Sequence, residues 1–278
     1  MKYVTQETKQ FLGVNSAWDL IPGAPDNPFL PPFLQGIAAQ TGGVSITIDP
    51  LGFGSELQTE RETTRFVAGL EGDFDNGWHY EVSANYGRME QNIDRSNQII
   101  VDRWFAALDA VTDPGTGQPA CRSSVDANAP PGTTPFNFPS YQAGYWSFVP
   151  GDGQCVPLDI WNGQGGITRA AMDFMTVDEW DKLVLDQFVI SAFVTGDSAD
   201  WFELPAGPVS FAFGAEYRDE SSDATFDSWQ RGVFPSGSPF PTGDLIVDYS
   251  ENSSLTIRPQ ITIRDESGSY DVSDVFLE

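Results

Sequence analysis

Four ionisable side chains in one short segment have the types and spacing that acid–base chemistry needs. They are Glu71, Asp73, His79 and Glu81, and they flank the turn Asp75-Asn76-Gly77. Residues two apart in a strand share a face, so a hairpin would bring all four together. A pair of carboxylates such as Glu71 and Glu81 could serve a hydrolase as general acid and base. Polar residues that line the water-filled interior of a membrane barrel give the same pattern. We favour this second interpretation and therefore predict that the chain is not an enzyme.

The strands that must position these residues alternate apolar and polar side chains. The apolar set of the first hairpin is Phe66, Ala68, Leu70, Phe74, Trp78, Tyr80, Val82, Ala84 and Tyr86. A second hairpin repeats the scheme with Phe188, Ile190, Ala192, Val194, Val209, Phe211, Phe213, Ala215 and Tyr217. A period of two indicates a strand with two different environments. About eleven residues at about 3.3 Å each, tilted by about 45°, span roughly the apolar height of an outer-membrane barrel.

The residues that interleave with the apolar set are polar. We predict that the following side chains face the lumen of such a barrel: Arg65, Glu71, Asp73, His79, Glu81, Glu216 and Arg218. Aromatic residues near the strand ends, among them Trp78 and Trp201, suit the interfacial girdles of a barrel. The core aromatics of a β-sandwich would look similar.

Short turns at one end and long loops at the other are typical of outer-membrane barrels. We predict hairpins at 64–87 and 187–218 and long extracellular loops at 87–186 and 219–269. Residues 1–63 are predicted to be an irregular, loop-like segment with a possible short strand, and residues 64–278 a partial barrel domain.

Two short helices are predicted inside the first long loop. Val101–Val111 has a helical apolar stripe that Asp113-Pro114-Gly115 ends, and a capping-box pattern begins at Thr176. Further strands are predicted at Val44–Ile48, Leu255–Ile263 and Asp271–Leu277.

The composition excludes a nucleic-acid partner. The formal net charge is −26 and the calculated pI is near 4.1, so little could neutralise phosphates. No run of 18 apolar residues predicts a transmembrane helix, and the first residues lack the apolar centre of a signal peptide.

Cys121 and Cys155 are the two cysteines of the chain. They could be free thiols in a cytoplasmic protein, but we favour a disulfide formed in an oxidising compartment. One histidine and two distant cysteines cannot make a zinc site, and we predict no metal and no cofactor.

Several segments together resemble the mid-barrel region of TonB-dependent outer-membrane receptors. The resembling segments are Asn27–Pro31, Thr63–Gly72, Trp78–Gly87, Asp102–Val111, Cys155–Leu158, Glu203–Val209, Phe213–Arg218 and Tyr270–Glu278. Their order and spacing make the set more specific than any one piece.

The resemblance implies part of a 22-stranded barrel in the outer membrane of a Gram-negative bacterium. It also implies uptake of a small-molecule nutrient such as an iron–siderophore chelate, cobalamin or a carbohydrate. Energy would come from an inner-membrane complex acting through a plug domain. No segment of this sequence resembles that plug, so we expect a partial receptor in contact with outer-membrane lipid. The fold class is therefore predicted to be all-β, part of an antiparallel transmembrane β-barrel whose long extracellular loops contain short helices.

Loop tryptophans are the candidate ligand contacts, namely Trp104, Trp146 and Trp161. The alternative function is a secreted acidic β-sandwich that acts as an adhesin or carbohydrate-binding module, in which exposed tryptophans stack on sugar rings.

Overall fold

The computed structural model of the chain describes residues 2–12, 21–46, 54–127, 148–231, 233–234, 243–244 and 263–278. The strands are β1 (Lys2–Leu12), β2 (Ile21–Gly23), β3 (Val44–Ile46), β4 (Ser55–Asp73), β5 (His79–Ile99), β6 (Ala110–Thr112), β7 (Pro119–Cys121), β8 (Thr176–Asp197), β9 (Ser210–Phe226), β10 (Val233–Phe234), β11 (Gly243–Asp244) and β12 (Glu266–Leu277). The helices are α1 (Pro32–Thr41), α2 (Val101–Leu108), α3 (Arg122–Val125), α4 (Arg169–Met175) and α5 (Ser228–Arg231), with a 3-10 turn at Gly163–Gly166. Among these described helices, none is long and apolar enough to cross a membrane.

One large antiparallel sheet organises the described part of the chain. It has six strands in the order β1-β4-β5-β8-β9-β12, and three further sheets have two strands each. The order follows the chain, so neighbouring strands are joined by turns or loops without a crossover. The prediction of a mainly antiparallel β fold is confirmed.

The four central strands are longer than the predicted hairpins. β4, β5, β8 and β9 contain 19, 21, 22 and 17 residues. The extra residues lie at the long-loop end, where the apolar and polar residues no longer alternate as they do in the predicted hairpins. The two long connections are therefore 100–175 and 227–265, shorter than the predicted loops.

The segment 1–63 is not irregular throughout. β1 lies within it and pairs along its length with the first part of β4, from Lys2 opposite Arg65 to Leu12 opposite Ser55. β3 confirms part of the strand predicted at Val44–Ile48, and β12 extends the strand predicted at Asp271–Leu277. The strand predicted at Leu255–Ile263 lies almost wholly outside the described residues.

The turn between β4 and β5 follows the prediction. Gly77 has φ +78°, a left-handed conformation that glycine adopts without a steric cost. Its backbone N–H donates to the Phe74 carbonyl at 2.9 Å, and the Phe74 N–H donates to the Trp78 carbonyl at 2.7 Å. These bonds set the register that pairs Asp73 with His79.

The buried side chains gather at the far end of β5 and β8, in what we call the loop core. Its buried members are Ile99, Trp104, Phe105, Ala106, Ala107, Leu108, Cys121, Phe148, Cys155, Leu158, Ile160, Ala171, Met172, Phe174 and Met175. They come mainly from α2, α4 and the segments that the disulfide joins. The core is attached to the sheet where the Ile100 N–H donates to the Met175 carbonyl at 2.8 Å.

Two local predictions in this region need correction. The helix predicted over Val101–Val111 ends at Leu108, because residues 110–112 pair with 119–121 as β6 and β7. The helix predicted from Thr176 is wrong. A helix ends there at Met175, and Thr176 begins β8, since its backbone pairs with Ile99 of β5.

Candidate functional site

The register places the apolar residues of five strands side by side on one face of the sheet. We call this set the apolar band: Phe66, Ala68 and Leu70 of β4; Tyr80, Val82, Ala84 and Tyr86 of β5; Phe188, Ile190, Ala192 and Val194 of β8; Phe211, Phe213, Ala215 and Tyr217 of β9; Val275 and Leu277 of β12. One transverse row, for example, runs Leu70, Val82, Ala192, Ala215, Val275. The two predicted hairpins thus form one continuous apolar surface.

The apolar band is exposed. Leu70 is 65% accessible, Phe66 45% and Val275 85%. Burial of such a side chain is worth about 1.5–3 kcal/mol, and a soluble domain would be expected to cover it. In the described part of the chain the other sheets have only two strands each, and these band residues remain exposed.

Aromatic rings border the apolar band at its short-turn end. The Trp78 ring lies 6.2 Å from that of Phe213 and 5.8 Å from that of Trp201. Trp78 also lies flat over Gly196, where an added Cβ would come within 2.4 Å of the indole. The glycine at this position therefore provides the space that the tryptophan occupies.

Charged pairs border the apolar band at its other end. The Arg88 guanidinium lies 2.8 Å from Asp186, and the Tyr86 hydroxyl donates to the same carboxylate at 2.6 Å. Lys182 pairs with Glu90 one step further along. This border forms no sequence motif of its own, but the same period-two pattern, continued past Tyr86, places its residues on this face.

The opposite face, which we call the polar face, carries every residue that the sequence assigned to a lumen. The register puts Arg65, Glu71, Asp73, His79, Glu81, Glu216 and Arg218 on it. His79 Nδ1 lies 2.9 Å from Asp73, and Arg218 lies 3.0 Å from Glu216. Glu71 and Glu81 are directly opposite each other. The contact of His79 joins β4 to β5, and that of Arg218 lies within β9.

A cavity of about 660 Å³ lies along the polar face. Its lining includes Arg65, Asn85, Gln187, Glu220 and Tyr270, which come from five neighbouring strands. The Arg65 Nε donates to Asn85 at 2.7 Å, and the Gln187 amide donates to Glu220 at 2.6 Å. Sequence reasoning singled out only Arg65 here, because neutral amides and a tyrosine carry no motif of their own.

The two described candidate ligand tryptophans, Trp104 and Trp161, pack in or against the loop core. Trp104 is 2% accessible and packs inside the loop core. Trp161 packs against that core and over Gly23, where a Cβ would lie 2.5 Å from its ring. Trp146 lies outside the described residues.

The predicted disulfide between Cys121 and Cys155 is present, and both cysteines are buried in the loop core. Beside it, Arg122 donates to Asp26 at 2.7 and 2.8 Å and to Asp109 at 3.0 Å. The hydrogen bond from Arg122 lowers the pKa of the Asp26 carboxyl below its ordinary value, against partial burial, which raises it. The same bond raises the pKa of Arg122, so the guanidinium remains charged. This ion pair ties the segment before α1 to the disulfide.

In the described residues no group of three or more histidine, cysteine, aspartate and glutamate side chains could hold a metal ion.

Comparison with known proteins gives no match. No protein-family model matches the chain, and no curated protein or solved structure is significantly similar to it.

Proposed function

We propose that the chain forms part of the wall of an outer-membrane β-barrel and works within a TonB-dependent receptor. The receptor would bind a siderophore chelate, cobalamin or carbohydrate and import it with energy from an inner-membrane complex. Two different kinds of support enter this proposal. The two faces of the sheet support the wall, and the sequence resemblance supports the receptor family.

The single observation that carries the wall is the exposed apolar band. Its residues span five adjacent strands. On this face there is no carboxylate, amine or guanidinium from Phe66 to Leu70, from Tyr80 to Tyr86, or from Phe188 to Val194. Lipid would cover these side chains, and water would fill the space along the polar face. Antiparallel pairing meanwhile satisfies the backbone polar groups of the inner strands, which a hydrocarbon environment requires.

The position of the connections supports an orientation. The turn after β4 is short, whereas the connections 100–175 and 227–265 both leave the other end of the sheet. In outer-membrane barrels the short turns are periplasmic and the long loops extracellular. The loop core and its disulfide would therefore face the outside of the cell, an oxidising environment.

Quenching of tryptophan fluorescence by brominated lipids tests the wall. Trp201 is 68% accessible beside the apolar band, whereas Trp161 packs against the loop core. We expect bromolipids to quench the reconstituted protein, Trp201→Phe to remove part of the quenched emission, and Trp161→Phe to remove none. Emission that bromolipids leave unchanged would contradict the wall.

Growth of the source bacterium tests the uptake role. Deleting the coding sequence should impair growth when one scarce nutrient is limiting, and deletion of the energy-coupling complex should cause the same defect. Normal growth of the deletion strain on every iron chelate, cobalamin and carbohydrate supplied would contradict the receptor role while leaving the wall untouched.

A further inference from the structure

Three cationic side chains lie together at one corner of the polar face. Lys2 of β1 is directly opposite Arg65 of β4, and Arg61 lies four residues away along β4 on the same face. All three side chains are exposed. Arg65 donates through Nε to the Asn85 amide at 2.7 Å, and Arg61 donates through Nε to the Gln91 amide at 2.9 Å. Both acceptors are neutral.

The charge balance of this corner differs from that around most other basic residues of the described chain. Arg88, Arg95 and Arg122 each contact a carboxylate, and so do Lys9, Lys182, Arg169, Arg218 and Arg231. Within the described residues Lys2, Arg61 and Arg65 form no ion pair, although the sequence has 40 acidic residues and 14 basic ones. Like charges directly opposite each other on neighbouring strands are destabilising. An anion bound between Lys2 and Arg65 would relieve that repulsion.

Of the three cationic residues, Arg65 lines the cavity of about 660 Å³. The transverse row that contains it runs Lys2, Arg65, Gly87, Gln187, Glu220, Tyr270, and its members from Arg65 to Tyr270 line the cavity. A Cβ on Gly87 would meet nothing within 4 Å, so the middle of the row is open. At the far end Glu220 accepts hydrogen bonds from Gln187 and Tyr270. The row is thus cationic at one end, open in the middle, and polar and anionic at the other end.

We propose that this cavity binds a small polar solute that carries one carboxylate. The Nη donors of Arg65 and the Lys2 ammonium hold the carboxylate, and the body of the solute lies over Gly87 and reaches the polar groups of Gln187 and Tyr270. A guanidinium matches the two oxygens of a carboxylate, which favours this ligand class. The volume lies within the roughly 300–1,000 Å³ of typical ligand pockets. Glu220 at the far end disfavours a second carboxylate there.

The inference rests on the proposed function, because the polar face is an open, water-filled surface only if the apolar band faces lipid. Gluconate and glucose are six-carbon polyhydroxy probes of similar size, and only gluconate carries a carboxylate. Binding of each is measured by equilibrium dialysis against the full chain reconstituted in vesicles. A Phe66→Cys variant labelled by a lipid-phase reagent reports on insertion in parallel.

We expect gluconate to bind at least tenfold more tightly than glucose. Arg65→Gln should weaken gluconate binding at least tenfold and Lys2→Gln several-fold. The control Arg169→Gln removes the same charge from α4, outside the cavity, and should change affinity less than twofold. Glu220→Gln should not weaken binding.

Each outcome is decisive. Equal affinity for gluconate and glucose, no binding of either, or equal losses in Arg65→Gln and Arg169→Gln would overturn the anion site. If Phe66→Cys is labelled from lipid in those cases, the proposed wall still stands. Failure of that labelling would contradict the wall itself, and with it the premise of the inference.

Discussion

The sheet and the loop core keep their apolar side chains in opposite places. In the loop core Leu158 is fully buried and Trp104 is 2% accessible. In the sheet Leu70 is 65% accessible and Val275 85%. Both regions use the same residue types, so composition does not explain the difference.

The difference shows which solvent each region is suited to. The loop core hides its apolar groups and is cross-linked, as a small domain in water must be. The sheet has one continuous apolar band with aromatic rings at one edge and charges at the other, although a few apolar side chains such as Val67 and Phe276 lie on the polar face. If the sheet faces lipid, the two regions should respond differently to the same kinds of change, and the following predictions test that in order of decreasing effect.

Removal of the disulfide should destabilise the loop core alone. The chain-entropy account gives about 3–4 kcal/mol for a cross-link of this size, and Cys121 and Cys155 are 34 residues apart. In a Cys121→Ser, Cys155→Ser variant, limited proteolysis should cut within 100–175 much faster than in the wild type. Lipid-phase labelling of the apolar band should stay the same. Simultaneous loss of both regions would show that they do not fold independently.

A charge in the apolar band should destabilise the sheet. Val82 lies in the middle of the band on a central strand, and an arginine at the bilayer midplane of a barrel costs about 2–4 kcal/mol. We expect Val82→Arg to lower the free energy of unfolding in lipid vesicles by that amount, measured by urea titration. Glu81→Arg is the matched control on the polar face, where the new arginine faces Glu71 and should be neutral or stabilising. Equal losses for both variants would mean that the two faces have the same environment.

Filling the space under Trp78 should disturb the aromatic edge of the band. An alanine Cβ at Gly196 would lie 2.4 Å from the indole, so the ring must move, and overpacking of this kind costs about 1–3 kcal/mol. Gly87→Ala is the control, because its Cβ would meet nothing within 4 Å. Urea titration should separate the two variants, and a shift of tryptophan emission should accompany only Gly196→Ala. An unshifted, fully stable Gly196→Ala protein would contradict the packing.

The smallest predicted effect is the pH dependence of the loop core. Arg122 lowers the pKa of Asp26 from its ordinary 3.8, so the ion pair contributes stability above that pH and loses it as pH falls through the lowered pKa. Because Asp26 is largely exposed, the contribution is about 1 kcal/mol or less. Asp26→Asn should therefore unfold at a lower temperature at pH 7, and its difference from the wild type should shrink as the pH falls below 3.8. A difference that does not shrink below that pH would contradict the ion pair as its cause.

The sequence predicted those parts of the sheet where apolar and polar residues contrast. Alternating residues such as Phe66 and Glu71 predicted both the strand and the face on which each side chain lies. A shift of one residue would move every side chain to the other face, so the period of two allows one register for a given face. β1 and the outer halves of β4 and β5 were missed because residues such as Glu60 and Glu62 of one face, and Arg61 of the other, offer no such contrast.

Local sequence patterns could not predict the packing of the loop core. Asn27 donates to the Leu108 carbonyl at 3.1 Å across 81 residues, and no short pattern encodes a contact of that range. At Thr176 a capping pattern was outweighed by pairing with β5. The cavity was missed for a related reason, since Gln187 and Tyr270 approach the same Glu220 carboxylate only after β8, β9 and β12 have been aligned.

Site-specific labelling of the two faces tests the central claim most directly. Single cysteines replace Phe66, Val82, Ile190 and Phe211 in the apolar band, and Glu71, Ser83 and Glu216 on the polar face. Each variant is reconstituted in vesicles and treated with a lipid-phase probe and a water-soluble thiol reagent. A barrel wall predicts that only the first set reacts from lipid and only the second set from water. If the first set is protected from both reagents while the second set remains accessible to water, the sheet is a soluble β core and the account fails.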